Sequence, residues 1–258
     1  MGGSVSGVEQ DENGNLTFSP EKFALGFLGG VMSSKSIERL AKNPKAKAVM
    51  ERIYLKKDIM PKMQQGKKVD TQEVIKILET SPQKGRDMVV IGKENFTPEV
   101  VEYILSAKGG SKKVAVDILP QEQAQKLGFK YPQNVRRTID KAEMIHALNR
   151  HGENGEISKA RKQPPLTKEH LSKWTQYADE ADMQVFSKDD LGQDVIVSGK
   201  QINGHYVIVE SIRRKQNELG FKSMYFERGS LKDNPAFDLA VSKDTPSTQG
   251  YKPELEQG

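Results

Sequence analysis

Asn203-Gly204 is the residue pair that most narrows what this chain can become. Asn and Gly accept the positive φ values of a two-residue β-turn, whose twist matches that of the strands it joins. The pair separates residues 194–198 from residues 205–212, both rich in Val and Ile. These runs are predicted to fold back on each other as an antiparallel hairpin. A further short apolar run, 183–186, precedes them, and another, 221–226, follows a polar loop at 217–220. Successive short strands joined by tight loops form an antiparallel meander. The expected sheet has about four strands.

Helical spacing surrounds this meander. Thr97-Pro98-Glu99 supplies an N-cap, a first-position Pro and a first-turn acid for a helix carrying Val100, Val101, Ile104 and Leu105, with Gly109-Gly110 as its stop. A second helix is predicted from Asp140 to Arg150, with Met144, Ile145 and Leu148 facing inward and Gly152 ending it. Pro164-Pro165 breaks the chain, and Leu166-Thr167-Lys168-Glu169 opens a third helix with Leu171, Trp174 and Tyr177; Trp174 is expected in the core. Residues 113–119 alternate Val114, Val116 and Ile118 and read as a strand, as do residues 88–91. The fold class is α+β, with helices packed on the sheet, preceded by a helical N-terminal region.

The N-terminal 83 residues read as a leader and linker. Residues 1–18 are rich in Gly and Ser and are expected to be mobile; Ser19-Pro20 starts a short apolar helix that could dock on a partner; charged helices follow at 36–41, 46–56 and 70–79, the last capped by Asp70 or Thr71. Residues 84–232 form the main domain. Residues 233–258, acidic and rich in Pro, Ser, Thr and Gln, are expected to be a disordered tail.

Charge is distributed unevenly. The chain carries +5 overall, but residues 33–140 hold +9, while residues 1–32 and 233–258 each hold −3. A basic body between acidic ends suits a polyanionic partner such as RNA, although a lysine-rich solvated surface has the same signature. With no cysteine, disulfides and thiolate metal sites are excluded, and four histidines make a His-rich metal site improbable. No metal or other cofactor is expected. No run of about 18 apolar residues is present, so no membrane span is expected. The start Met1-Gly2-Gly3-Ser4 lacks the basic and apolar regions of a secretory signal, and the cytosol is the expected compartment, either of a bacterium or of a cell into which the protein is delivered.

Two segments could carry chemistry. His146, Arg150 and His151 are gathered within about one and a half turns of the predicted 140–150 helix. Ser211-Ile212-Arg213-Arg214-Lys215 ends one strand, and Lys222-Ser223-Met224-Tyr225 lies on its return. Alternation puts Ser211 and Arg213 on one face, and Ser223 and Tyr225 together, opposite Lys222 and Met224. Metal-free RNA cleavage needs a base for the 2′-hydroxyl, an acid for the leaving 5′-oxygen, and fixed cations or hydroxyls for the phosphate; imidazole, guanidinium and hydroxyl groups meet those needs. Each group also has a structural reading: a His can cap a helix, and Arg213-Arg214-Lys215 can be a plain basic hairpin end. His170 and His205 are read as structural.

The runs Arg137-Thr138-Ile139-Asp140-Lys141, His146-Ala147-Leu148-Asn149-Arg150-His151-Gly152, Gln163-Pro164-Pro165-Leu166-Thr167, residues 198–213 and Phe221-Lys222-Ser223-Met224-Tyr225 resemble, in this order, the phage-borne nuclease domains of the barnase–EndoU–colicin–RelE class. Such domains occur in MuF-type phage head-morphogenesis proteins and in polyvalent proteins of mobile elements. The resemblance covers roughly residues 86–232. It implies a helix packed on a four-stranded antiparallel sheet and an endoribonuclease acting by 2′-hydroxyl transesterification, as a toxin or effector. It implies His146, Arg150, His151, Arg213, Ser223 and Tyr225 as catalytic residues, with Arg214, Lys215 and Lys222 as RNA contacts. RNA, tRNA included, would be the substrate, and an immunity or antitoxin protein a further partner. The competing readings are a non-catalytic nucleic-acid-binding module and a phage structural adaptor. The oligomeric state is left open.

Overall fold

A computed structural model describes residues 8–10, 16–18, 43–85, 87–108 and 112–237. The chain divides into two compact units, Met1–Thr80 and Ser81–Gly258, a boundary three residues before the expected one. The helix starts expected at Ser19-Pro20 and at 36–41, and the Gly109-Gly110 stop, lie outside the described residues.

In the first unit, β1 (Val8–Gln10) and β2 (Leu16–Phe18) pair antiparallel, within the stretch expected to be mobile. α1 (Pro44–Tyr54) is capped by Asn43, whose side chain accepts from Lys45 N at 3.0 Å and Ala46 N at 3.3 Å. It continues through a π-turn, Leu55–Ile59, into α2 (Met60–Gln64). α3 (Thr71–Thr80) starts where Asp70 accepts from Gln72 N at 2.8 Å. Tyr54, Leu55, Ile59, Met63, Val74, Ile77 and Leu78 are buried, and the Tyr54 hydroxyl donates to Glu73 at 2.6 Å.

The second unit is α+β. Its strands are β3 (Lys113–Ile118), β4 (Arg136–Asp140), β5 (Met183–Lys188), β6 (Asp194–Gln201), β7 (His205–Arg213) and β8 (Glu218–Glu227). They form one six-stranded sheet in the order β3-β4-β8-β7-β6-β5. β5 to β8 are the expected meander. Asn203 and Gly204 take φ values of 49° and 118° at the β6–β7 turn, as their hairpin reading requires. The sheet is nevertheless wider than the four strands expected, and it is mixed: β4 runs parallel to β8, and β3 pairs antiparallel with β4. Residues 88–91 contribute only an isolated bridge, Val90 to Ala115.

The helices are α4 (Pro98–Ser106), α5 (Gln121–Lys126), α6 (Lys141–His151), α7 (Glu156–Arg161), α8 (Lys168–Ser172) and α9 (Trp174–Asp179). Thr97 caps α4, Asp140 caps α6, and Thr167 forms a capping box with His170 at α8. α4 buries Val100, Val101 and Ile104 completely, and α6 buries Met144, Ala147 and His151. Ile145, expected inside, is exposed. The chain stays packed beyond β8: two 3-10 turns, Leu231–Asp233 and Pro235–Phe237, bring Leu231 and Phe237 against Val195, Val197 and Val207. The rest of the expected tail, 238–258, lies outside the described residues.

At the centre of the second unit a charge is buried rather than a hydrocarbon. Arg137 and Glu210 are each 2% exposed. Nε of Arg137 lies 3.1 Å from Glu210 Oε1, and Nη2 lies 3.0 Å from both Glu210 oxygens. Nη1 donates to Asp179 and, at 3.4 Å, to the Thr175 carbonyl, while the guanidinium sits 4.9 Å from the Trp174 ring centre. Trp174 also meets Phe221 edge-on at 5.5 Å, in the core as expected. Removing one partner of such a pair strands a charge away from water. Arg137→Ala should therefore cost about 3–5 kcal/mol in urea denaturation, whereas the double change Arg137→Met, Glu210→Leu should recover most of that loss.

Candidate active site

Cross-strand partners share a face of a sheet. Arg213, Ser211, Val209 and Val207 of β7 therefore project together with Glu218, Gly220, Ser223 and Tyr225 of β8. α6 packs along β8 on this face, and the two ends of the helix build two different environments.

The first end is polar. Asp140 closes β4 and caps α6, accepting from Glu143 N at 3.0 Å. The Arg213 guanidinium lies across Gly220, where a Cβ would stand 2.6 Å from its Cζ, so only glycine leaves it that seat. From there Arg213 reaches Asp140 at 3.8 Å and Glu143 at 3.6 Å, beyond good hydrogen-bond length and 18% exposed. Lys222 joins them through a β-bulge. Val209 faces Ser223 and Glu210 faces Phe221, which leaves Lys222 as the extra residue. Strict alternation would set it opposite Ser223; the bulge breaks that rule. Its Nζ pairs with Asp189, whose carboxylate also accepts from Leu191 N at 2.9 Å and Gln193 N at 2.8 Å. The Lys222 ammonium holds the Asp189 carboxyl below its ordinary value.

Glu143 was not among the residues singled out from sequence. The signal available was its spacing, three before His146 and seven before Arg150, which places all three on one helix face. Burial is the main cause that raises the Glu143 pKa, and the neighbouring Asp140 carboxylate adds to it; Arg213, Lys222 and His146 pull the other way. His146 and Arg150 are exposed along the same face.

The second end is an interior. His151 is 8% exposed and stacks on Tyr225 with ring centres 5.2 Å apart. Burial, then the neighbouring Arg150 charge, push its pKa down to about 4, while the Gln163 side chain acts in the opposite sense. Burial raises the Tyr225 hydroxyl, with Asn234 opposing. Val207, the partner of Tyr225, is six residues from Arg213 along β7, about 20 Å at the rise of a strand. The proposed imidazoles, guanidinium and hydroxyls thus do not surround a single point. His146, Arg213 and Lys222 gather toward the polar end with Glu143; Ser223 stands between the two ends; His151 and Tyr225 form the packed end.

The remaining sequence candidates are placed elsewhere. Arg214 donates from Nε to the Leu127 carbonyl at 2.9 Å and from Nη1 to Asp194 at 2.5 Å, strapping the end of α5 to β6. Lys215 is exposed in a 3-10 turn, Arg214–Gln216. His170 caps α8 and meets the Tyr206 ring at 5.2 Å; His205 is buried and lies 2.9 Å from Asn234 Nδ2, so both are structural as read. Among the described residues, no group of three or more His, Cys, Asp or Glu could hold a metal ion, and no helix is long and apolar enough to cross a membrane.

A helix laid on a mixed sheet, with two cations beside a half-buried carboxyl, can seat a phosphate and move a proton. Residues 113–234, which span the whole six-stranded sheet, match the model of the family described as phage-Barnase-EndoU-ColicinE5/D-RelE like nuclease3. This segment of the chain is therefore similar to that nuclease family. No curated protein and no solved structure matches the chain.

The depressed His151 pKa has a consequence for stability. The folded imidazole stays neutral down to about pH 4, whereas in the unfolded chain it binds a proton below about 6.5. The unfolded state then binds more protons in that window, so stability rises with pH across it and is lost on acidification, by at most about 1.4 kcal/mol per pH unit. Urea titrations across the window should show this slope in the native sequence and a shallower one in His151→Gln.

Proposed function

We propose that the 113–234 domain is an endoribonuclease that cleaves RNA by 2′-hydroxyl attack on the adjacent phosphorus, without a metal ion, as a toxin or effector of a phage or mobile element. The observation that carries this reading is the gathering of Arg213, Lys222 and His146 at the polar end of α6, within a segment similar to a nuclease family. Arg213 and Lys222 would hold the phosphate oxygens and offset the charge that grows on them during attack. Their present partners are carboxylates, so an incoming phosphate would compete for cations that are already oriented. His146, exposed and one turn on from Glu143, would give a proton to the leaving 5′-oxygen. Ser223 and Arg150 would contact the flanking sugar and backbone. The packed His151–Tyr225 pair fits a supporting role better than proton transfer, since a buried imidazole with so low a pKa is neutral at the pH where an acid is needed.

The basic stretch 33–140, at +9, favours a second reading, binding to nucleic acid without turnover. Incubating the purified chain with total RNA and excess EDTA separates the two. Cleavage with 2′,3′-cyclic phosphate ends is expected, and His146→Ala and Arg213→Ala should each lower kcat/KM by about 10²–10³-fold. Salt-sensitive binding with no fragments would support the non-catalytic module instead.

A further inference from the structure

The reaction proposed above needs a group to take the 2′-hydroxyl proton, and none of the residues singled out from sequence fills that place convincingly. His151 is packed against Tyr225 at the far end of the face, and Ser223 is a poor base. We propose that Glu143 is this general base, with His146 as its paired acid; the assignment rests on the endoribonuclease reading.

The argument is geometric first. Glu143 lies in the first turn of α6, 3.6 Å from the Arg213 guanidinium, the cation best placed to seat the phosphate. A carboxylate beside the phosphate-holding cation stands next to the sugar that carries the attacking hydroxyl. His146 follows three residues later on the same helix face, about 5–6 Å away between Cβ atoms, a spacing that lets one carboxyl and one imidazole flank a single phosphodiester. The charged groups facing Glu143 are Asp140 from the end of β4, His146 from its own helix, Arg213 from β7 and Lys222 from β8. Burial and Asp140 make its carboxylate a stronger base than an exposed one. Asp140 is already spent as the helix cap, and Asp189 is held low by Lys222, so neither competes for the role.

In the step, the 2′-oxygen forms a bond to phosphorus as its proton passes to Glu143, and the bond from phosphorus to the 5′-oxygen breaks as that oxygen takes a proton from the His146 imidazolium. The products are a 2′,3′-cyclic phosphate and a 5′-hydroxyl. Exchange with solvent returns the proton from Glu143 and restores the one on His146.

The test uses the full chain, an oligoribonucleotide in EDTA, and the pH dependence of kcat/KM for the native sequence, Glu143→Gln and Glu143→Asp. Binding of the same oligonucleotide with a 2′-deoxy residue at the cleavage position is measured in parallel. The native profile should have an acid limb above the ordinary range of a carboxylate. Glu143→Gln should lose about 10²-fold or more in rate and lose that limb, while binding the deoxy probe as tightly or more tightly. Glu143→Asp should keep the limb at reduced rate, which separates lost chemistry from lost folding. If Glu143→Gln cleaves within about threefold of the native rate, or keeps the acid limb, the assignment is overturned while the nuclease reading stands. A slow Glu143→Gln with the limb intact and probe binding weakened would make Glu143 only a support for Arg213. If the native chain does not cleave RNA at all, the nuclease reading fails and takes this assignment with it.

Discussion

The pairing of Arg137 with Glu210 and Asp179 fixes how the second unit is assembled. Arg137 sits on β4, beside β8, and its guanidinium spans β8 to reach Glu210 on β7. It also ties the sheet to α9 through Asp179 and the Thr175 carbonyl, and lies against Trp174. Taking two charges out of water is costly, and only near-complete hydrogen bonding offsets it. A register slip of one residue would turn Arg137 to the other face and leave Glu210 without its partner. The pair therefore selects one strand register and one helix placement, whatever its net contribution to stability.

The same chemistry appears in a looser form on the opposite face. Arg137 has its donors satisfied at about 3 Å and is closed to water. Arg213 stands at 3.6–3.8 Å from two carboxylates and keeps a share of its surface open. A guanidinium held at that distance is oriented without being consumed, which is the condition for an anion to take the place of its present neighbours. Two local features create this: the missing side chain at Gly220, which gives the guanidinium its seat, and the extra residue in β8, which frees Lys222 from alternation. Backbone irregularity, more than side-chain identity, gathers the cations.

Much of this was legible in the sequence, and what escaped did so for physical reasons. The Asn203-Gly204 turn and the apolar runs around it gave the β5–β8 meander, because backbone preference and burial pointed the same way. Asp140, Thr97 and Thr167 marked helix starts because capping is a local interaction. β4 was not read as a strand. Its sequence, Arg-Arg-Thr-Ile-Asp, looks polar, yet its first four residues are buried. An ion pair formed with residues 73 and 42 positions away supplies what apolar side chains normally would. The Lys222 bulge was likewise hidden, since it depends on register with β7. Of the candidate site, His146, Arg213 and Lys222 were singled out from residue type; Glu143 was not, because a first-turn acid is an ordinary helix feature; and His151 stood out as an imidazole when its burial could not be seen.

The parallel contact of β4 with β8 joins segments far apart in the chain; Thr138 and Glu218, which touch across it, are 80 residues apart. Until Glu218–Gly220 are in place, β3 and β4 are only a two-stranded ribbon, and such ribbons are marginal in water. Closing so long a loop is slow compared with forming the local β5–β8 hairpins. Assembly order follows: the meander can form early, while α6 acquires its bed on β8 late. The polar end of this face is complete only once the last strand has docked, so a ribosome-bound chain still lacking β8 carries α6, its imidazole and Arg213 but neither the Gly220 seat nor Lys222.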